Sequence, residues 1–268
     1  KAELSFERTA TDYAKVLAPF VVKKHLENGG RTLVVVNRVD RAVELVKLLR
    51  KAAKDVTSHV VHSRFRPQER AAVEKAALAT DFEGIVVATQ AIEAGVDISS
   101  RTLVTDLASW SSMVQRFGRC NRAGEYEQGA DIYWVDCDGD EKDALPYTLE
   151  EFVSARKLLR QVPDNNACPA KLPPDAGPHE PASPVLRRRD LLGLFDTTAD
   201  LSGFDVDVSR YVRDSSGVAD VQVAWRDWER TDSEPQPKGP ARAVLRREEL
   251  CRVSIGQFKK SFEKGEWW

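Results

Sequence analysis

Gly84-Ile85-Val86-Val87-Ala88-Thr89-Gln90-Ala91-Ile92-Glu93-Ala94-Gly95-Val96-Asp97-Ile98 is the stretch on which the fold turns. The small apolar run after Gly84 reads as a central strand covered on both faces, followed by a short helix and a glycine-bearing turn. Thr89 then stands at the carboxyl end of that strand, where open α/β sheets bind ligands. Asp97 follows Gly95 closely, so its carboxylate is placed near a turn and can accept hydrogen bonds from sugar hydroxyls. Taken singly, Thr89 also suits a helix cap and Asp97 a turn former.

Outward from this strand, the chain alternates between strands and helices. Residues 10–28 read as a helix with an apolar stripe of Tyr13, Val16, Leu17, Phe20, Val21 and Leu26, ended by Gly29-Gly30. Strands are expected near 32–36, 56–61, 84–88, 102–107 and 130–135, with helices over 39–53, 67–78, 111–121 and 146–161. This alternation predicts a parallel sheet with helices on both faces and right-handed crossovers, the layout of a RecA-like lobe. Composition changes after 161: seven of the 13 prolines fall between Pro163 and Pro184. The expected organisation is a lobe over 1–161, a proline-rich linker over 162–185, and a small α+β accessory region over 186–268, with strands at 206–208 and 221–223 and a helix over 247–263.

The second informative stretch is Gln115-Arg116-Phe117-Gly118-Arg119-Cys120-Asn121-Arg122-Ala123-Gly124. Arg116, Arg119 and Arg122 recur every third residue, so on a helix they share roughly one face. Clustered guanidinium forks repel one another unless an anion is present, and they match phosphate oxygens. The strand ends at Asn37 and at His62-Ser63-Arg64-Phe65 fall on the same carboxyl edge as Thr89. Asn37 reads equally well as a cap, and His62 as a satisfied polar residue. Asn37, Ser63, Arg64 and Thr89 together form a row suited to tracking a nucleic-acid backbone without reading its sequence.

Composition bounds the partners. A net charge of -2 over 268 residues gives no global field toward nucleic acid, so contacts with it come from local patches. Four cysteines without C-x-x-C spacing indicate neither a zinc site nor a disulfide framework and suit a reducing cytoplasm. No stretch approaches a membrane span. No G-x-x-x-x-G-K-[ST] phosphate loop occurs, and Asp138-Gly139-Asp140-Glu141 reads as a polar turn, so the chain holds half of an ATPase site. No His is followed by Asp and no metal-ligand spacing occurs. Trp225-Arg226-Asp227-Trp228 suits a small core or base stacking, and Arg187-Arg188-Arg189 a solvated run or a DNA-steering one. The chain opens without Met and reads as a fragment.

The two motifs, 84–98 and 115–124, resemble the fifth and sixth motifs of superfamily 2 helicases in order and spacing. With His62-Ser63-Arg64-Phe65, they are similar to the CRISPR-associated helicase–nuclease of type I interference systems, and the segment from Asp190 to Tyr211 resembles the type I-G branch. The resemblance implies an ATP-driven 3′-to-5′ translocase on single-stranded DNA, recruited by the RNA-guided Cascade complex, with a His-Asp nuclease domain and a first RecA-like lobe outside this chain. It implies that Gln115, Arg119 and Arg122 face the triphosphate, with the two arginines as catalytic fingers. Gly95 and Asp97, with Arg116, line the nucleotide, while Thr89 joins Asn37, Ser63 and Arg64 on the DNA. ATP and Mg2+ are held mainly by the missing lobe. The alternatives are another superfamily 2 DNA or RNA translocase, or a docking module without motor activity.

Overall fold

The computed structural model describes residues 3–5, 10–93, 95–136 and 141–174, and beyond them 187–188, 191–192, 195, 220–224, 228–229, 236–237 and 246–262. The elements in chain order are β1 (Glu3–Ser5), α1 (Ala10–Asn28), β2 (Arg31–Val35), α2 (Val39–Ala52), β3 (Ser58–Val61), α3 (Pro67–Ala77), β4 (Gly84–Ala88), β5 (Thr102–Asp106), α4 (Trp110–Phe117), β6 (Asp131–Asp136), α5 (Glu141–Ala144) and α6 (Leu149–Arg160). Six strands form one sheet in the order β1-β6-β5-β2-β4-β3, and every pairing in it is parallel. Strand β2 lies at its centre, with Val34 opposite Val87 on one side and Val104 on the other. All residues of β2, β4 and β5 are buried, as expected of parallel strands covered on both faces.

Helix α1 packs on α2 and against β2 and β5, and α4 packs on α6. The core gathers Leu17 and Val21 of α1, Leu45 and Leu49 of α2, the central valines, Trp134 of β6 and Phe152 of α6. Two members of the stripe expected on α1 are on the outside: Val16 is 48% and Leu26 68% exposed. The buried set is Tyr13, Ala14, Leu17, Ala18 and Val21, whose spacing of three and four leaves Val16 and Leu26 off the packed face. Helix α6 begins with a capping box, in which Thr148 accepts from the Glu151 amide and Glu151 returns a bond to the Thr148 amide.

The helix expected over 111–121 stops at Phe117. Gly118 is its C-cap, donating to the Val114 carbonyl, and Asn121 adopts φ 50°. The chain is then drawn into a parallel bridge between Ser100 and Cys120. Arg119 and Arg122 therefore lie in the turn beyond the helix and do not share a helical face with Arg116.

Compact packing defines two units, residues 1–177 with 224–251, and residues 178–223 with 252–268. The later strands are β7 (Asp220–Val223), β8 (Trp228–Glu229), β9 (Gln236–Pro237) and β10 (Cys251–Ser254), followed by α7 (Ile255–Phe262). The single helix expected over 247–263 is thus divided into a 3-10 turn at Arg247–Glu249, β10 and α7. Cys251 and Val253 are buried while Arg252 is exposed, a period of two that suits a strand paired with β7. The strand expected at 206–208 lies outside the described residues, as do Trp225–Asp227 and nearly all of 190–211.

Candidate functional site

The carboxyl edge of the sheet holds a buried polar network. Asp106, ending β5, is 1% exposed. Its carboxylate accepts from the Tyr13 hydroxyl and from the Asn37 amide at 2.9 Å, and Arg41 lies 3.8 Å away. Burial pushes the Asp106 carboxyl upward, opposed by Arg41, Tyr13, Asn37 and Arg116. Arg41 also reaches Asp143 at 3.0 Å. The centre of the network is Arg116, which is fully buried. Its Nε donates to Glu93 Oε1 at 2.8 Å, Nη1 to Thr105 Oγ1 and the Asp106 carbonyl at 3.0 Å, and Nη2 to Asn37 Oδ1 and the Tyr147 hydroxyl at 3.1 Å. Glu93 Oε2 accepts from Ser112 at 3.0 Å, and the Tyr147 hydroxyl donates to the same Ser112.

This corrects two expectations. Arg116 does not line a nucleotide, because all three guanidinium nitrogens are spent on protein acceptors and none of its surface is exposed. Nor does Asn37 face nucleic acid: it is 5% exposed, with Oδ1 taken by Arg116 and Nδ2 donating to the Leu107 carbonyl at 2.7 Å. A buried charge is tolerated only when paired and fully hydrogen-bonded, and these two side chains supply that condition for each other. Sequence reasoning gave no role to Glu93, Asp106, Arg41 or Tyr147. An Asp ending an otherwise apolar strand, and a Glu inside the 84–98 motif, were the available signals.

Beyond α4, Arg119 stays buried, 8% exposed, and Arg122 turns outward. Arg119 donates from Nη2 to the Glu93 carbonyl at 2.6 Å, while its buried Nε has no partner. Burial and the neighbouring Arg122 disfavour its charge, and Asp97 supports it. The Arg122 amide donates to Ser99 Oγ at 2.8 Å, and its Nε pairs with Asp97 Oδ1 at 2.8 Å. The side chains of that pair are 47% and 89% exposed, so it is open to a ligand. Gln115 is exposed on α4, and Gly95, also exposed, adopts φ +74° at the turn before Asp97, a conformation that favours glycine. The structure thus brings Asp97, Arg119 and Arg122 together. An anion placed beside them relieves the repulsion between the two guanidiniums.

On the other rim, Ser63 is exposed, Arg64 half-buried and Thr89 buried. Ser63 and Arg64 are therefore the accessible members of the expected row. Their turn is held by His62, whose Nδ1 accepts from the Arg64 amide at 3.1 Å and whose ring stacks on Phe65 at 4.3 Å. Burial, helped by Arg64, pushes the His62 pKa down to about 4. Since the folded value lies below the ordinary 6.5, stability from neutral His62 is present above pH 6.5 and is lost as pH falls towards 4. Melting temperatures across that window are expected to fall less steeply for His62→Asn than for the natural chain; identical slopes would contradict the shift. His25 and His59, also shifted down by burial, add to the slope in the same direction.

Among the described residues, no three His, Cys, Asp or Glu side chains converge as for a metal, and no helix is long and apolar enough to cross a membrane.

Residues 28–125 match the family model described as CRISPR-associated nuclease/helicase Cas3, C-terminal. The CRISPR-associated nuclease/helicase Cas3 of Methanothermobacter thermautotrophicus is 32% identical over 136 residues, covering 48% of this chain and 16% of that protein. The CRISPR-associated helicase Cas3 of Thermoproteus tenax is 32% identical over 142 residues, covering 52% and 23%. The CRISPR-associated nuclease/helicase Cas3 of Haloferax volcanii is 35% identical over 97 residues, covering 34% and 10%. The chain therefore spans less than a quarter of each of these relatives. The crystal structure of T. fusca Cas3-ADP superposes with a TM-score of 0.50 at 21% identity, over 62% of this chain and 22% of that one, a likeness of fold. The parallel sheet with its flanking helices defines a RecA-like lobe. The similarity to the Cas3 C-terminal model lies within that lobe, over residues 28–125.

Proposed function

We propose that this chain is the second motor lobe of an ATP-driven single-stranded DNA translocase acting in CRISPR type I interference. The observation that carries the reading is the convergence of Arg119, with its unpartnered Nε, on the exposed Arg122–Asp97 pair. In this reading Arg119 and Arg122 stabilise the charge that develops on the transferring phosphoryl group, and Gln115 orients it. Asp97, freed from Arg122, accepts from the ribose hydroxyls. Opening that pair is cheap, since exposed ion pairs are worth about 0–1 kcal/mol. A first lobe with a phosphate loop supplies the remaining ligands of ATP, together with Mg2+, which when bound neutralises phosphate oxygens. A His-Asp nuclease domain belongs to the same protein outside this chain, and the Cascade complex delivers the DNA. The type I-G assignment rests on the resemblance of 190–211.

The test is ATP hydrolysis stimulated by single-stranded DNA, with this chain joined to its phosphate-loop lobe. Ser63→Ala and Arg64→Ala are expected to weaken DNA binding about equally for all sequences. Arg64→Ala is also expected to reduce the slope of log affinity against log salt by about 1. Stimulation and salt slope that are unchanged in both variants would remove this rim from the DNA path.

A further inference from the structure

Glu93 is the residue on which the Arg119 guanidinium rests. Its carbonyl accepts from Arg119 Nη2 at 2.6 Å, while Arg119 Nε has no hydrogen-bond partner. The direction of that carbonyl therefore sets where the guanidinium points, and it is fixed from three sides. The Glu93 amide donates to the Gln90 carbonyl at 3.0 Å, closing the 3-10 turn Gln90–Ile92. The two carboxylate oxygens are held separately, Oε1 by Arg116 Nε at 2.8 Å and Oε2 by the Ser112 hydroxyl at 3.0 Å. A carboxylate bonded at both oxygens is not free to turn, so the side chain braces the backbone carbonyl.

The brace closes on Tyr147. The Tyr147 hydroxyl accepts from Arg116 Nη2 at 3.1 Å and donates to Ser112 Oγ at 3.0 Å, and Ser112 in turn donates to Glu93. Arg116, Tyr147, Ser112 and Glu93 thus form a ring of hydrogen bonds, all running from the guanidinium to the carboxylate. Bonds linked in this way polarise one another in a low dielectric. Tyr147 itself is set by α6. Its amide donates to the Ala144 carbonyl at 2.9 Å, its ring stands 6.2 Å from that of the buried Phe152, and Thr148 of the capping box follows it directly. Burial pushes the Tyr147 phenol above its ordinary value against the opposing pull of Arg116, so the hydroxyl keeps its proton at neutral pH. Tyr147 lies outside both motifs and outside residues 28–125, the stretch that matches the family model.

We infer that Tyr147 is a positioning residue for the reaction: through Ser112 and Arg116 it holds the Glu93 carbonyl, and thereby the Arg119 guanidinium, where the transferring phosphoryl group meets it. The inference rests on the finger reading above and extends it to a side chain at the start of α6. A misplacement of about 1 Å costs about a hundredfold in rate. Removing the Tyr147 hydroxyl leaves Arg116 its bonds to Thr105, the Asp106 carbonyl and Asn37, so the lobe stays folded. Ser112 loses the donor that orients it, and Glu93 Oε2 loses its fixed partner.

The test is a double-mutant cycle on ATP hydrolysis stimulated by single-stranded DNA, in the protein carrying this chain and its phosphate-loop lobe. Tyr147→Phe is expected to lower kcat about tenfold or more, with KM for ATP and affinity for single-stranded DNA unchanged. In the Arg119→Ala background the same substitution is expected to cost nothing further. Melting temperatures are measured alongside, and Ser112→Ala, which opens the same ring one bond nearer Glu93, carries the test if Tyr147→Phe unfolds. Tyr147→Phe at the natural rate, or with the same fold loss in both backgrounds, would overturn the positioning role while leaving the motor reading in place. A natural protein that hydrolyses no ATP would overturn both.

Discussion

Arg122→Ala is expected to lower single-stranded-DNA-stimulated ATP hydrolysis by about a thousandfold or more, the range over which arginine fingers act in phosphoryl transfer. The loss is expected in kcat, with thermal stability unchanged. Arg122 is 47% exposed at its side chain, it pairs with an Asp97 that is 89% exposed, and its backbone anchor to Ser99 survives the substitution. Surface changes of this kind shift stability by about 0.5 kcal/mol or less. Arg119→Lys is the companion test. It keeps the positive charge but loses the fork that holds the Glu93 carbonyl while presenting a second nitrogen, so it is expected to lose most of the rate as well. A full-rate Arg122→Ala enzyme would remove the finger assignment.

Arg116→Ala is expected to act in the opposite way, destabilising the lobe by about 3–5 kcal/mol, the cost of breaking a buried charge pair from one side. Glu93 would keep a carboxylate that is largely buried, and the Asp106 carbonyl, Thr105 and Asn37 would each lose a donor. Urea titration followed by far-ultraviolet circular dichroism reads this directly as a lower midpoint. Arg116→Ala that folds with the natural midpoint and fails only in hydrolysis would make Arg116 a ligand-binding arginine after all. Two arginines six positions apart in one motif are thus separated by a pair of measurements, one acting on stability and the other on rate.

The contrast also explains what could be read from the sequence. Strands β2, β4 and β5 are legible because a central parallel strand is apolar throughout, as in Ile85–Ala88 and Leu33–Val35, and the helices between them carry clear periods. The exposed residues Gln115, Arg122 and Asp97, and the buried Arg119 beside them, are legible through their motifs. Arg116 is not, because a spacing of three implies a common face only while the helix continues, and it ends at Phe117. The network around Arg116 is illegible for a different reason. Its partners come from far along the chain, Asn37 lying 79 positions from Arg116 and Tyr13 lying 93 from Asp106, and only the closed sheet brings them together. The C-terminal helix fails on period: Cys251–Ser254 alternates inside and outside, and four residues are too short a run to show this against the helical residues that follow.

Arg116 and Glu93 also tie the two rims together. Glu93 holds Arg116 with its side chain and Arg119 with its carbonyl, and Gln90, three residues before it, donates to the Asn37 carbonyl at 3.0 Å. Gln90 and Glu93 are thereby fixed to Asn37, just beyond β2, and to Arg116 of α4.

Displacement of streptavidin from the end of a biotinylated single-stranded DNA, by the protein carrying this chain and its phosphate-loop lobe, decides whether the chain is half of a motor. Displacement is expected to require hydrolysable ATP, to be faster from one end than the other, and to be absent with Arg122→Ala although that variant still binds the strand. Displacement that proceeds without ATP, or at full speed with Arg122→Ala, would contradict the assignment of this chain as half of a motor.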